Sequence, residues 1–499
     1  MIKIVIFLGI FVNFIAYENF YSAFSFLIVF YISRLSINIF LNKNIKQDRE
    51  TEKDLSLWIC SLFFLLTGVI ELLIINYGSQ QVVGPDASLF YKYASDPSWD
   101  LRSIVYENIT GYSFEESSGF KEDFIPILVW NKVYNLFQNI GFPSGRYIGL
   151  SINTLFIVWT SFLGLNILRS INDLNNKETE KFYKILFCAN GIFWMYGAIF
   201  IREAIIIFII TLLLKIWIDW IQKNSFFNLI KLGIISIIYY TIAPFLRGGY
   251  STLLGAFILS FVIVELFKSF HNRKINLIQI ISVPIILVLS VINFDFFYDA
   301  YNVFIERFET YNRISGATSE YGSIGIAILN MPFFIRIFFS IFYLLFMPIP
   351  IWSFIENNTL SIYHIFKSSF AIFNYLTIPF LIIVLKNSLF HIKRIDKTKL
   401  FLIVLYILTT FSIGITSLEN RHYGNFSIIY LLLISYFNWD TISLRNEYKR
   451  VLSYLFIFLF ILYFVYVFLK FKSIILLLIF LAVPLFITLF LKKENSRFK

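Results

Sequence analysis

Long apolar runs recur along this chain of 499 residues, and they constrain its fold more than any other feature. An apolar helix of about 20 residues crosses the hydrocarbon core of a bilayer. Measured against that length, the sequence contains about fourteen candidate spans. They cover residues 3–17, 20–41, 55–77, 147–168, 184–201, 203–221, 228–246, 249–267, 276–293, 367–388, 399–418, 424–438, 451–469 and 473–491.

The composition excludes other classes of protein. Hydrophobic residues make up 58% of the chain and charged residues only 15%, whereas a soluble domain has roughly 45–50% and about 25%. Such a chain cannot cover its surface with polar groups, which excludes a soluble enzyme, and it is too apolar to be disordered. We therefore expect an all-α polytopic membrane protein, one transmembrane domain over 1–499, with about 14 spans and a range of about 11 to about 15.

The basic loops predict the orientation of these spans. Lysine and arginine are concentrated in short loops at 43–53, 169–184, 268–274, 386–399, 445–450 and 492–499, which alternate correctly with the spans. Basic loops stay in the cytoplasm, so both termini are predicted to be cytoplasmic. The net charge of +11 is then mostly an orientation signal, and nucleic acid is not an expected partner.

Two long segments are predicted on the outer side: the first outer loop at 78–146 and the second outer segment at 294–366. The strongest apolar run of the second segment ends in Pro348 and Pro350, so an amphipathic or re-entrant helix is expected there. Arg307 and Arg313 in this segment are candidates for binding an anionic substrate. A charged helix that lies on the membrane surface is the alternative.

The first outer loop contains one acid of particular interest, Asp86. Its simplest role is to cap a helix over Ala87–Ala94. It also follows an outward span directly, where a cleft at membrane level would open, so it is a candidate catalytic carboxylate. The later acids of this loop, from Asp96 to Asp123, are most simply solvated.

Arginine occurs at three predicted outer hairpin tips, where the positive-inside rule predicts few arginines. The candidate residues of these tips are Arg202, Glu203, Arg247, Tyr250, Glu419, Arg421, His422 and Tyr423. Charges near a membrane mark substrate paths or paired networks. Snorkelling or a structural Arg–Glu pair would explain any one tip, but three such tips favour a shared functional site.

Arginine binds phosphate through planar, bidentate contacts. Several arginines with carboxylates and tyrosines at a membrane surface therefore predict a lipid phosphate or pyrophosphate that carries a sugar. His422 is a candidate general base for a hydroxyl, and an interface histidine is the alternative. The sequence has no nucleotide-binding glycine loop and no nucleophile elbow. Its histidines lack partners at the spacing of metal ligands, and no cofactor is expected.

In layout and short motifs, over most of its length, the chain resembles the Wzy-type polysaccharide polymerases of bacteria. Four stretches carry the resemblance: Gly84–Ala94, which is also similar to the first outer loop of GT-C glycosyltransferases, Ile199–Ile206 with its Arg-Glu pair, Arg247–Tyr250, and Glu419–Tyr423. His422 departs from the pattern, because a tyrosine is expected directly after the arginine.

The resemblance implies a GT-C-like membrane enzyme that polymerises lipid-linked oligosaccharide repeat units at the outer face of the bacterial cytoplasmic (inner) membrane. The donor would be a glycan on undecaprenyl pyrophosphate and the acceptor a second lipid-linked unit. The arginines at 202, 247 and 421 would stabilise the departing pyrophosphate, and Asp86, Glu203 or His422 would deprotonate the acceptor, with no metal. Membrane lipids and a chain-length regulator are the other implied partners.

Two other functions remain open. A GT-C transferase that uses a polyprenyl-phosphate sugar would share the Asp86 loop and the arginines, but it would add a single sugar. A lipid-linked oligosaccharide flippase would also have fourteen spans and basic inner loops. Flippases carry their charges in a central cavity halfway along the helices, whereas the charges here are predicted at the outer ends, which favours an enzyme of the outer face.

Overall fold

The computed structural model shows a chain built from helices, apart from one short antiparallel pair of strands. The structure describes residues 2–40, 49–95, 123–171, 177–223, 225–247, 250, 252–272, 328, 331–346, 355–356, 359–390, 395–416, 419–435 and 442–471. The helices are α1 (Ile2–Tyr17), α2 (Tyr21–Phe40), α3 (Glu50–Tyr77), α4 (Ser79–Val83), α5 (Pro85–Ser95), α6 (Phe124–Asn139), α7 (Arg146–Ile171), α8 (Lys177–Ala189), α9 (Gly191–Ala198), α10 (Glu203–Gln222), α11 (Phe226–Leu246), α12 (Thr252–Asn272), α13 (Phe333–Phe346), α14 (Ile362–Phe390), α15 (Lys397–Thr416), α16 (Asn420–Gly424), α17 (Ser427–Ser435) and α18 (Ile442–Phe471). The strands are β1 (Ile355–Glu356) and β2 (Thr359–Leu360), between α13 and α14.

Within the described residues, seven helices are long and apolar enough to cross a membrane. They are α2, α3, α7, α10, α11, α14 and, over Lys397–Gly414, α15. This is the architecture of a helical membrane protein. Fourteen crossings remain a prediction, and the predicted spans 276–293 and 473–491 lie outside the described residues.

One predicted span, 184–201, is divided into two helices, α8 and α9. Asn190 separates them and caps α9, because its side-chain oxygen accepts a hydrogen bond from the backbone N–H of Ile192 at 3.1 Å. Gly191 lies so close to α14 that a Cβ there would stand 2.7 Å from the backbone nitrogen of Phe370. The break is thus fixed by a side-chain cap and a close backbone approach.

The core lies around α7 and α10, the most deeply buried of the candidate spans. α7 packs against α2, α3, α9 and α10. On α2, by contrast, Phe24 is 56% exposed and Tyr31 65% exposed, as expected for side chains that face lipid. Arg202 and Glu203, at the start of α10, therefore belong to the best-packed part of the molecule.

The termini of the long helices gather at two ends of the molecule. The first end, called the site end below, has the C-termini of α3 and α11 and the N-termini of α7, α10 and α14. The opposite end has the C-terminus of α7 and the N-termini of α3 and α8, where Arg169 donates to Glu180 at 2.7 Å and pairs with Glu52 in a buried ionic network. The sequence predicts this opposite end to be cytoplasmic.

Candidate functional site

Among the described residues, nine ionisable side chains from six separate parts of the chain meet at the site end, and we call them the charged cluster. They are Asp86 on α5, Asp123 before α6, Arg202 and Glu203 at the start of α10, Arg247 after α11, Lys367 on α14, and Glu419, Arg421 and His422 at α16. Residues 335 positions apart are hydrogen-bonded within it. The three predicted hairpin tips therefore form a single site.

Glu203 lies at the centre of the charged cluster and is 1% exposed. Its Oε1 accepts a hydrogen bond from Nη1 of Arg247 at 3.1 Å and lies 4.0 Å from Nε of Arg421. As an acid in the first turn of α10, it is also stabilised by the positive end of the helix dipole. Its Oε2 has no hydrogen-bond partner among the described residues. One oxygen of Glu203 thus holds two guanidiniums together.

The backbone in front of Glu203 is held by a buried asparagine on α7. Nδ2 of Asn153 lies 3.2 Å from the carbonyl oxygen of Ile201 and 3.4 Å from that of Ile199, and donates to both. The side-chain oxygen of Asn153 in turn accepts a hydrogen bond from Nε1 of Trp130 at 2.9 Å. These bonds satisfy the non-helical segment between α9 and α10, which would otherwise leave polar backbone groups unpaired in an apolar setting.

Arg202 pairs with Asp123, and its guanidinium lies 5.7 Å from the centre of the Phe90 ring on α5. Burial is the main reason that the pKa of Arg202 is lowered to about 10, and the charge of Arg247 adds to this effect. The interpretation of Asp123 as a solvated loop acid is wrong, because its side chain is only 14% exposed and is bound to an arginine.

Arg421 and Asp86 form the exposed side of the charged cluster. Nη1 of Arg421 donates to Oδ2 of Asp86 at 2.7 Å, and the Asp86 side chain is 50% exposed. Burial would raise the pKa of Asp86, but the charge and hydrogen bond of Arg421, together with the charges of Arg202 and Arg247, outweigh burial and lower the pKa. α5 begins at Pro85, so Asp86 lies in the first turn and not at the cap position.

Lys367 and Tyr363 on α14 hold the carboxylate of Glu419. Nζ of Lys367 lies 3.0 Å from Oε2 of Glu419, and the Tyr363 hydroxyl donates to the same oxygen at 3.1 Å. Burial alone would raise the pKa of Glu419, but Lys367 and, at 3.9 Å, Arg421 lower it to about 2. Glu419 is therefore an ionised anchor that links α14 to α16.

His422 is buried, and its Nε2 contacts the guanidinium of Arg247. A guanidinium only donates hydrogen bonds, so Nε2 must accept and the ring proton is assigned to Nδ1. Burial and the charges of Arg247 and Arg421 lower the pKa of His422 far below its ordinary value. The imidazole is neutral, and it would act as a base only after Arg247 had moved away.

The segment that carries Arg421 is fixed by its neighbours on α9. The Tyr196 hydroxyl donates to the backbone carbonyl of Arg421 at 2.5 Å. Gly424 fits directly against the same helix, since a Cβ on it would stand 2.3 Å from Ile192. Tyr423 points into the core, where its hydroxyl lies 2.7 Å from that of Tyr406.

The structure unites seven of the residues that the sequence singles out: Asp86, Arg202, Glu203, Arg247, Glu419, Arg421 and His422. Tyr250 is next to them, and its hydroxyl accepts a hydrogen bond from Asn425. Arg307 and Arg313 lie outside the described residues.

Sequence reasoning missed Asp123 and Lys367. The available signal for Lys367 was a lone cation at the beginning of an apolar span, which is costly unless it is paired. Asp123 stands directly before the apolar helix α6. This position at a helix start was the only local signal that its side chain is buried and not solvated.

The donor set of the charged cluster suits an anion better than a cation. Three guanidiniums and an ammonium stand among its carboxylates, and guanidinium groups match the geometry of phosphate oxygens. Within the described ranges there is no group of three or more His, Cys, Asp or Glu side chains that could hold a metal ion. No protein family, characterised protein or solved structure matches this chain.

Proposed function

We propose that this chain is a GT-C-like membrane glycosyltransferase that polymerises lipid-linked oligosaccharide repeat units by transfer from undecaprenyl pyrophosphate. One observation carries the proposal: Arg247 and Arg421, from two distant hairpin tips, converge on Glu203, and Arg202 stands directly beside it. The proposed location is the outer face of the bacterial cytoplasmic membrane, with the opposite, basic end in the cytoplasm.

The position of the charged cluster fits a substrate with a lipid tail and an anionic head. The cluster lies at the ends of helices that are long enough to cross a bilayer, so the tail of a bound lipid would stay in the hydrocarbon and its pyrophosphate would meet the arginines. Arg421 is 19% exposed and Asp86 50% exposed, which makes this side of the cluster the one that a ligand can approach.

The reaction would be a displacement at the anomeric carbon of the donor sugar. The acceptor oxygen forms a bond to that carbon, the bond from the carbon to the pyrophosphate oxygen breaks, and its electron pair leaves with the lipid pyrophosphate. Arg202, Arg247 and Arg421 would stabilise the charge that develops on this leaving group.

The proton of the acceptor hydroxyl needs a base, and the candidates differ in access. His422 is engaged by Arg247, and Glu203 is 1% exposed between two arginines. Asp86 has a lowered pKa, is ionised and is half exposed. It is therefore the candidate base that an acceptor can reach.

The geometry of the charges argues against a flippase. The charged cluster occupies the first residue of α10, the first turns of α14 and the segment that follows α11, and these positions are helix ends. A flippase would need its charges halfway along the spans. A transferase of single sugars would use the same site, and the number of units in the product separates it from a polymerase.

The test uses cells that supply the lipid-linked repeat unit. Arg202→Ala, Arg247→Ala and Arg421→Ala should each leave the protein in the membrane while single, unextended units accumulate. Arg49→Ala is the control, because Arg49 is exposed at the opposite end and donates to Asn38 at 2.6 Å. Long polymer in all three site variants would overturn the proposal.

A further inference from the structure

The formal charges of the charged cluster balance, and this affects how it can bind an anion. Three arginines and Lys367 face four carboxylates, and His422 is neutral. Each arginine that would grip a phosphate already has a carboxylate partner in the structure. A phosphate that binds at Nη1 of Arg421 must displace the carboxylate of Asp86, which occupies that position.

Three of the carboxylates are poorly placed to give way. Glu203 is 1% exposed and lies between Arg247 and Arg421. Glu419 is held by Lys367 and by a tyrosine hydroxyl. Asp123 is 14% exposed against Arg202. Moving any of them would leave buried charges without partners, which is strongly unfavourable.

Asp86 is different in exposure and in bonding. Its side chain is 50% exposed, and the bond to Nη1 of Arg421 at 2.7 Å is the one hydrogen bond found for its carboxylate in the described part of the chain. Released from Arg421, this carboxylate would be hydrated at once, so its departure costs little desolvation energy.

The backbone around Asp86 is suited to such a movement. Gly78 and Gly84, at the two ends of α4, have φ angles of 85° and 87°, a region open to glycine. A Cβ on either glycine would meet nothing within 4 Å, so there is open space beside both glycines. Further along α5, Phe90 and Tyr91 lie against the guanidiniums of Arg202 and Arg146, and these contacts keep the helix over the site.

We propose that Asp86 is an internal substitute for the phosphate of the substrate, and that it occupies the Arg421 subsite until an anionic oxygen of the ligand replaces it. This inference rests on the proposed function and adds a selectivity rule to it. A neutral lipid or glycan cannot perform the exchange, whereas a pyrophosphate can. The exchange also releases the Asp86 carboxylate beside the bound anion, where an acceptor hydroxyl would arrive.

The experiment measures the binding of inorganic pyrophosphate to the purified full-length protein in detergent, by calorimetry. Asp86→Asn removes the competing charge, so the affinity for pyrophosphate should rise about fivefold or more. The reason is that the apparent affinity of the wild type is the intrinsic affinity multiplied by the fraction of molecules in which the Arg421 subsite is free. Asp54→Asn is the matched control, because Asp54 is 46% exposed and pairs with Lys184 at 2.7 Å at the opposite end of the molecule, and it should bind like the wild type.

A variant that combines Asp86→Asn with Arg421→Gln should lose the gain. The inference is overturned if Asp86→Asn binds no better than the wild type, if Asp54→Asn gains as much, or if the gain persists without Arg421. Pyrophosphate binding needs no glycosyl transfer. A protein that shows the exchange but makes no polymer would refute the proposed function alone, and one that makes polymer without the exchange would refute this inference alone.

Discussion

Glu203 is the residue whose charge the site depends on most. At an effective dielectric constant of about 20, its attraction to Arg247 at 3.1 Å is about 5 kcal/mol and to Arg421 at 4.0 Å about 4 kcal/mol, before the cost of burying the charges is subtracted. Glu203→Gln keeps the size of the side chain and removes its charge. Removing one partner of a buried ion pair costs about 3–5 kcal/mol, and we expect the free energy of unfolding to fall by that amount.

The assay is denaturant unfolding in detergent, applied to a double-mutant cycle. In combination with Arg247→Gln, the loss should be smaller than the sum of the two single losses, with a coupling energy of about 2 kcal/mol. Glu178→Gln is the control, because Glu178 and Lys181 are 65% and 61% exposed, and its effect should stay below about 1 kcal/mol. A loss of the same small size for Glu203→Gln, with no coupling to Arg247, would refute the description of the cluster centre.

Three further predictions concern the scaffold of the site. The pKa of His422 is lowered in the folded protein by burial and by Arg247, so the unfolded chain binds a proton first as the pH falls below about 6.5. The free energy of unfolding should therefore drop by up to about 1.4 kcal/mol per pH unit below that pH, and in unfolding experiments at several pH values His422→Gln should make it depend less on pH. Gly424→Ala would bring a Cβ within 2.3 Å of Ile192 and should lower the melting temperature, whereas Gly233→Ala, which meets nothing within 4 Å, should leave it unchanged or raise it. Asn153→Ala would leave the Trp130 indole and two backbone carbonyls without their partner and should cost about 1–3 kcal/mol for each unsatisfied group, with a change in tryptophan fluorescence as the second readout.

The helical architecture follows from the apolar runs, because a span must satisfy its backbone internally and the helix does so locally. Periodic patterns do not reveal interruptions, however. Asn190 caps α9 locally, and Gly191 packs against a helix far along the chain. The local sequence does not contain the second of these contacts. The local sequence likewise predicts that Asp86 caps a helix. In the structure the helix begins at Pro85, one residue before Asp86, and the carboxylate of Asp86 binds Arg421.

The convergence of the site was predictable from charge placement alone. Arg202, Arg247 and Arg421 stand out because arginines are rare at the predicted outer ends of spans, and isolated charges at a membrane need partners. The choice of partner was not predictable. Asp123 and Lys367 join the charged cluster through tertiary packing of α6 and α14, and their local signals, a helix start and a lone cation in an apolar span, do not identify their partners.

We propose that the arginines of the charged cluster bind and release a lipid pyrophosphate during glycosyl transfer. To test this, purified protein is reconstituted in liposomes and supplied with one lipid-linked repeat unit, and both glycan length and free undecaprenyl pyrophosphate are measured. We expect a ladder of longer glycans with one lipid pyrophosphate released for each new linkage, and neither product from Arg421→Ala. Intact single units after incubation with the wild-type protein, or a ladder of equal yield from Arg421→Ala, would contradict this proposal.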